Sequence, residues 1–190
     1  MNYDIVLCGV GGQGGLSISV VIAKAALASG FRIKQSEVHG MSQRGGEVLA
    51  NLRLSSQEIP SPMVPKGKAD LILAFEPLEG LRYLPWLSRD RGYLVSSSNP
   101  IRNIQNYPDL EQIFAAIRKL PRERLVDAEA IAKESGNAKS ANVVLLGVIS
   151  DLLPIPAEAL MAALSETFAS KGESVLQSNL RAFENGRIKG

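Results

Sequence analysis

Ile5-Val6-Leu7-Cys8-Gly9-Val10-Gly11-Gly12-Gln13-Gly14-Gly15-Leu16 is the stretch from which the fold is read. Its apolar start, residues 5–7, ends abruptly in glycines. Such a run reads as a strand buried on both faces, as in a parallel sheet. Residues 9–15 make a glycine-dense turn. Residues 16–29 follow as a helix, favoured by Ala23, Ala25, Ala26 and Ala28, with Gly30 at the helix C-terminal position. Residues 33–38 are a second strand, so the opening reads as a βαβ unit.

Working outward, residues 47–54 alternate. Val48, Ala50, Leu52 and Leu54 point one way, and Leu49, Asn51 and Arg53 the other. The short, non-helical connection before them suits an antiparallel pairing with the second strand, which makes the sheet mixed. Pro60, Pro62 and Pro65 mark an extended loop over residues 55–68. Further strands are expected at 70–75, 92–97 and 124–127. Helices are expected from Pro77 to about Leu84, then at 109–120, 128–135, 140–153, 156–168 and 173–185. Gly136, Pro154 and Gly186 stand where three of them would stop. The expected architecture is α/β: three α/β/α layers around a mixed, mostly parallel sheet, in a single domain over residues 1–190.

Composition narrows the function. The chain has 190 residues, 45% of them hydrophobic, with 21 Lys+Arg against 19 Asp+Glu. The formal charge of +2 argues against the broad basic face of a nucleic-acid binder. Cys8 and His39 are the sole cysteine and histidine. One cysteine makes no intrachain disulfide and cannot hold a cluster that takes four thiolates; one histidine rules out a poly-histidine metal site. No run approaches the length of a membrane-spanning helix, and the first residues lack the basic start and apolar core of a signal peptide. A reduced, cytoplasmic setting is the default expectation.

Two loops carry chemistry. Gly9-Val10-Gly11-Gly12-Gln13-Gly14 fits G-x-G-x-x-G between a strand and a helix, where unpaired N–H groups can meet an anion. A dinucleotide site also needs an acidic residue about 20 positions on. Lys34, Gln35 and Ser36 occupy that region, and Glu37 comes late. The loop therefore reads as an anion or partner-backbone site, as a bare tight turn, or, least well, as an NAD or FAD site.

The second loop is Glu37-Val38-His39-Gly40-Met41-Ser42-Gln43-Arg44-Gly45-Gly46. Arg44 offers a rigid fork for carboxylate or phosphate, His39 can donate, accept or carry a proton, and Ser42 and Gln43 add hydrogen bonds. Arg44 paired with Glu37 or Glu47, and His39 as a structural loop residue, are the alternatives. Both loops are expected at the C-terminal ends of adjacent strands, where open α/β sheets bind ligands. Asn142, at the start of an apolar helix, reads as its cap and as a lining residue of the same cleft. Cys8 reads as a buried small apolar residue. Trp86 with Tyr83 and Leu87, and the proline loop, are candidate contact surfaces, with packing over the sheet edge as the alternative for the aromatic group.

Together these motifs carry a resemblance. The glycine loop, the second loop, Ser140-Ala141-Asn142-Val143-Val144-Leu145-Leu146-Gly147, Asp151-Leu152-Leu153-Pro154-Ile155-Pro156 and the final helix resemble the gamma-type subunits of the 2-oxoacid:ferredoxin oxidoreductases, and within them the small subunits of the indolepyruvate branch. The likeness covers nearly the whole chain. It implies oxidative decarboxylation of a 2-oxoacid, here an aryl pyruvate, to an acyl-CoA, with electrons passed to ferredoxin. Gamma subunits for pyruvate, 2-oxoglutarate or branched-chain oxoacids are the alternative within the family; a stand-alone Rossmann-like nucleotide-binding domain is the alternative outside it.

The resemblance also implies where the cofactors are held. The chain lacks both the four cysteines of a cluster and the Gly-Asp-Gly run of a thiamine diphosphate motif. It would hold no cofactor alone. Thiamine diphosphate, Mg and the iron–sulfur clusters would belong to a large partner subunit, coenzyme A would be the co-substrate, and ferredoxin would be met through the complex. Gly9, Gly11, Gly12, Gln13, Gly14, Glu37, His39, Ser42, Gln43, Arg44, Gly45 and Asn142 are the implied cofactor-binding or subunit-boundary residues. The N–H groups of residues 11–14 would face an anion or the partner's backbone. Alone, the chain would either expose that boundary or bury it in a homodimer.

Overall fold

The computed structural model describes residues 1–39 and 45–190. Six strands form one sheet in the order β2-β3-β1-β4-β5-β6. They are β1 (Asn2–Val10), β2 (Arg32–His39), β3 (Glu47–Ser55), β4 (Leu71–Ala74), β5 (Tyr93–Ser97) and β6 (Glu123–Val126). β1, β4, β5 and β6 pair in parallel, whereas β3 is antiparallel to both β1 and β2. β3 therefore runs against the other five, and the expected mixed, mostly parallel sheet is what forms.

The opening differs in one respect from a plain βαβ unit. β2 runs in the direction of β1 but does not touch it, because β3 lies between them. The sequence reason is in β3 itself. Ala50, Leu52 and Leu54 are buried on one face and Asn51 on the other, so this strand is covered on both sides. β2, with exposed Arg32 and Lys34, suits the sheet edge, where charged side chains discourage further pairing.

Helices cover both faces. On one, α1 (Gly15–Ala28), α4 (Ala128–Glu134), α5 (Ala141–Val148), α6 (Ala157–Phe168) and α7 (Glu173–Lys189) bury Ile18, Val21, Ile22, Val144, Leu145 and Phe183 against Ile5, Leu7, Leu52, Leu73 and Val95. On the other, α2 (Pro77–Arg82) and α3 (Leu110–Arg118) pack Leu78, Leu81, Ile113 and Ile117 on Val6, Cys8, Ile72 and Leu94. The result is the expected α/β/α sandwich. Alternate residues of β1 feed the two cores, which is why residues 5–8 are uniformly apolar.

Two helix ends differ from expectation. α5 stops at Val148, short of Pro154. Its last carbonyls already have donors: Arg124 Nη1 reaches Val148 O at 2.5 Å, and Ser150 Oγ reaches Gly147 O at 2.7 Å. α7 runs through Gly186 to Lys189. Gly186 is a contact and not a terminator: a Cβ there would lie 2.2 Å from Val144 O, and one on Gly147 would lie 2.1 Å from Phe183 O. α5 and α7 thus cross backbone to backbone over these two glycines. Tyr83 and Trp86 pack on the α2 face with ring centroids 5.3 Å apart, Tyr83 being buried.

Candidate functional site

The chain leaves β1 for α1 on one face and leaves β4 for α2 on the other. β1 and β4 are adjacent, so the crevice at their carboxyl ends is the topological switch point of the sheet. Gln13 spans it. Its Oε1 accepts from Val10 N–H at 2.7 Å, and its Nε2 donates to Phe75 C=O at 2.8 Å. Gln13 is therefore a brace between two strand exits, with both ends of its amide engaged. Gly9 makes room for it, since a Cβ on Gly9 would sit 2.7 Å from Gln13 Oε1.

Clefts open on either side of this brace. One, of about 320 Å³, is lined by residues 9–17 with Val48, Ala50 and Phe75. The other, of about 400 Å³, is lined by Gly12, Gln13, Phe75, Asn99, Lys139 and Asn142 among others. Gly12 and Gly14 have φ of 104° and 76°, a backbone region that side chains disfavour. Nothing lies within 4 Å of a Cβ on Gly12, so its need for glycine is conformational, and that part of the loop stays open.

The donors of this loop are not all available. Gly11 N–H is spent on Gly46 C=O at 2.8 Å, and Gln13 N–H on Val10 C=O at 3.3 Å. This corrects the expectation that the N–H groups of residues 11–14 would all face a ligand. Gly12, Gly14, Gly15 and Leu16 have no N–H partner among the described residues. Three of these open α1, where the helix dipole adds positive potential.

The two loops do converge, although their strands are not neighbours as expected; β3 carries the connection. Gly45, with φ of 81°, donates to Gly11 C=O at 3.4 Å and accepts from Asn103 Nδ2 at 2.8 Å. Glu37 and His39 lie in β2, with the His39 backbone opposite Val48. Gln35 Nε2 donates to a Glu37 oxygen. Ser42, Gln43 and Arg44, and with them the expected pairing of Arg44 to Glu37 or Glu47, lie outside the described residues. Glu47 accepts from the Tyr83 hydroxyl.

Asn142 joins the cleft through an unanticipated contact. Its Nδ2 donates to Gly14 C=O at 3.2 Å, tying α5 to the glycine loop, and its Oδ1 accepts from Val143 N–H at 2.9 Å. Its neighbour Ser140 occupies the N-cap position. Sequence reasoning missed Phe75, Glu76, Asn99 and Asn103. The Phe75-Glu76-Pro77 step from a strand into a helix was the available signal for the first two; Asn99 and Asn103 had none, because their partners are remote in sequence. Glu76, 1% exposed, caps α2 through Glu79 N–H at 2.9 Å and also accepts from Tyr107 Oη and from Ile101 N–H. Burial, then the bond to Glu76, pushes the Tyr107 hydroxyl pKa up. The Cys8 thiol is buried beneath the crevice, and burial, with the Glu79 charge next, raises its pKa well above the ordinary thiol value. Such a thiol is protonated and inert. Among the described residues no group of three or more His, Cys, Asp or Glu could hold a metal ion, and no helix is long and apolar enough to cross a membrane.

The open α/β sheet thus carries at its switch point a glycine loop whose N–H groups, unpaired among the described residues, open a helix, an arrangement suited to an anion. The chain belongs to the pyruvate ferredoxin/flavodoxin oxidoreductase family, whose profile matches residues 4–188, and within it to the small, gamma-type subunits of the 2-oxoacid:ferredoxin oxidoreductases. The indolepyruvate oxidoreductase subunit IorB of Methanothermobacter thermautotrophicus is 37% identical over 194 residues, covering 98% of this chain and 96% of that one. The keto/oxoacid ferredoxin oxidoreductase gamma subunit of Geobacter sulfurreducens has a TM-score of 0.71 at 25% identity, over 98% of this chain and 97% of that one. The 2-oxoglutarate:ferredoxin oxidoreductase of Magnetococcus marinus, solved with 2-oxoglutarate, coenzyme A and succinyl-CoA bound, has a TM-score of 0.74 at 25% identity; 98% of this chain spans 30% of that one.

Proposed function

We propose that this chain is the small subunit of an indolepyruvate:ferredoxin oxidoreductase. The enzyme would cleave the bond between the keto carbon and the carboxylate of an aryl pyruvate, release CO2, form a thioester with coenzyme A and pass two electrons to ferredoxin. The observation that carries this is the full-length likeness, at 37% identity, to a subunit named for indolepyruvate. The 2-oxoglutarate enzyme of known structure stands at 25%.

In this reading residues 1–190 are one domain that forms a wall of the active centre. A large subunit holds thiamine diphosphate, Mg and the iron–sulfur clusters, and thiamine diphosphate supplies the electron sink for decarboxylation. This chain's own part is to bind and orient. The free N–H groups of Gly12, Gly14, Gly15 and Leu16 meet an anionic group, for which the phosphates of coenzyme A are the candidate. Asn142 holds Gly14 in place, and Gln13 fixes the separation of the two strand exits. Arg44, His39, Ser42 and Gln43 complete the boundary with the large subunit. A cytoplasmic location belongs to the same reading.

The test is co-expression with a thiamine-binding large subunit, followed by an assay of oxoacid- and coenzyme A-dependent ferredoxin reduction. The complex should turn over indolepyruvate, and the purified chain alone should not. Activity of the lone chain would overturn the proposal. So would a complex that oxidises pyruvate or 2-oxoglutarate in preference to aryl pyruvates.

A further inference from the structure

A circuit of hydrogen bonds at the edge of the crevice runs through a third loop, residues 98–109. From the glycine loop, Gln13 Nε2 reaches Phe75 C=O. The next residue, Glu76, is a buried carboxylate that accepts from Ile101 N–H at 3.4 Å and from Tyr107 Oη. Asn103 N–H donates to Ile101 C=O at 2.8 Å, and Asn103 Nδ2 donates to Gly45 C=O at 2.8 Å. Gly45 N–H and Gly46 C=O then pair with Gly11, two residues from Gln13. The path closes on itself. Its far end is also fixed: Asn99 bonds the Asp127 carboxylate at 2.9 Å and accepts from Glu129 N–H at 3.0 Å.

Among the described residues Asn103 is the single side chain that joins the third loop to the Gly45–Gly11 backbone pair. It is exposed and lies outside either core, so packing does not account for its placement. Glu76 is the anchor. It has no lysine or arginine partner among the described residues, and its oxygens are occupied by groups from α2 and the third loop.

We propose that Asn103 is a positioning residue: it holds Gly45 and Gly46 against Gly11 and so fixes the glycine loop in the geometry that presents the Gly12 and Gly14 N–H groups. That this tightens coenzyme A binding rests on the function proposed above. The positioning itself does not.

The test has two arms. Amide hydrogen exchange on the full chain compares wild type with Asn103→Ala and Asn103→Gln. Exchange at Gly11 and Gly45, whose N–H groups make the backbone pair, should quicken roughly fivefold in Asn103→Ala, the factor matching one ordinary hydrogen bond. Exchange in β5 should stay unchanged, and Asn103→Gln, which keeps an amide donor, should recover most of the protection. Tyr107→Phe, which removes the second tie between the third loop and Glu76, should shift the same amides in the same direction. Equal exchange at Gly11 in wild type and Asn103→Ala overturns the proposal, as does a uniform rise that includes β5. In the two-subunit complex, Asn103→Ala should raise KM for coenzyme A severalfold with kcat within twofold. Faster loop exchange with an unchanged KM upholds the positioning and removes the link to coenzyme A. A wild-type complex without coenzyme A-dependent turnover refutes the function while the exchange arm still decides the role of Asn103.

Discussion

Gln13→Glu is the most discriminating change to the crevice because it alters one atom of the brace. The Oε1 that accepts from Val10 N–H is kept. The Nε2–H that donates to Phe75 C=O at 2.8 Å becomes a carboxylate oxygen facing a carbonyl oxygen. The loss is one hydrogen bond plus an unmatched pair of acceptors in a half-buried site, about 1–3 kcal/mol at neutral pH. For a chain of this size each kcal/mol lowers Tm by roughly 2–4 °C. The pH dependence follows from the same geometry. Only the protonated carboxyl can donate to Phe75, so its folded-state pKa is raised above the unfolded value of about 4.3. The variant is therefore least handicapped below that value, and its deficit relative to wild type grows as pH rises through the raised folded value. Urea unfolding at a series of pH values measures this directly. Gln13→Met, which cannot titrate, should show a deficit that does not vary with pH. A Gln13→Glu protein as stable as wild type at neutral pH, or one whose deficit is flat with pH, would refute the bracing role.

Gly186→Ala should destabilise the protein, although alanine is the better helix former by about 1 kcal/mol. The added methyl would lie 2.2 Å from Val144 O, so α5 and α7 must separate, at a net cost of about 2 kcal/mol or more; a rise in Tm would show that the crossing is loose. The Asp127 carboxyl pKa is held below the usual range chiefly by Asn99, then by Ala130 N–H. Its contribution to stability is complete above the unfolded value of about 3.9 and is lost as pH falls through the depressed folded value. Asn99→Ala should consequently narrow its stability gap to wild type as urea titrations move from pH 5 down to pH 2, and a gap constant over that range would detach Asn99 from this carboxylate.

How far the site could be read in advance varied with the reach of each interaction. Gly12 and Gly14 were legible because a strand-to-helix turn of this tightness demands positive φ, and that demand is local. Gln13 looked like a ligand-facing residue, since nothing in its neighbourhood announces Phe75, 62 positions away. For Asn142 the place at a helix start and beside the cleft is legible, since both follow from element order, but its bond to Gly14 spans 128 positions and leaves no local sign. Gly186 looked like a terminator for a similar reason, because glycine ends helices by local geometry but permits close helix crossings only when a partner backbone is present.

By itself the sequence determined the strand and helix periods, the antiparallel sense of β3, the two loops at the carboxyl edge, and the exclusion of a four-cysteine cluster from this chain. All of these follow from side-chain chemistry and spacing along a few turns of backbone. The tertiary structure decided that β3 sits between β1 and β2, that half the expected loop donors are already spent, and that residues 98–109 bond both Glu76 and Gly45. Those outcomes depend on which distant backbone groups meet, and a hydrogen bond between groups dozens of residues apart leaves no periodic trace in the chain that forms it.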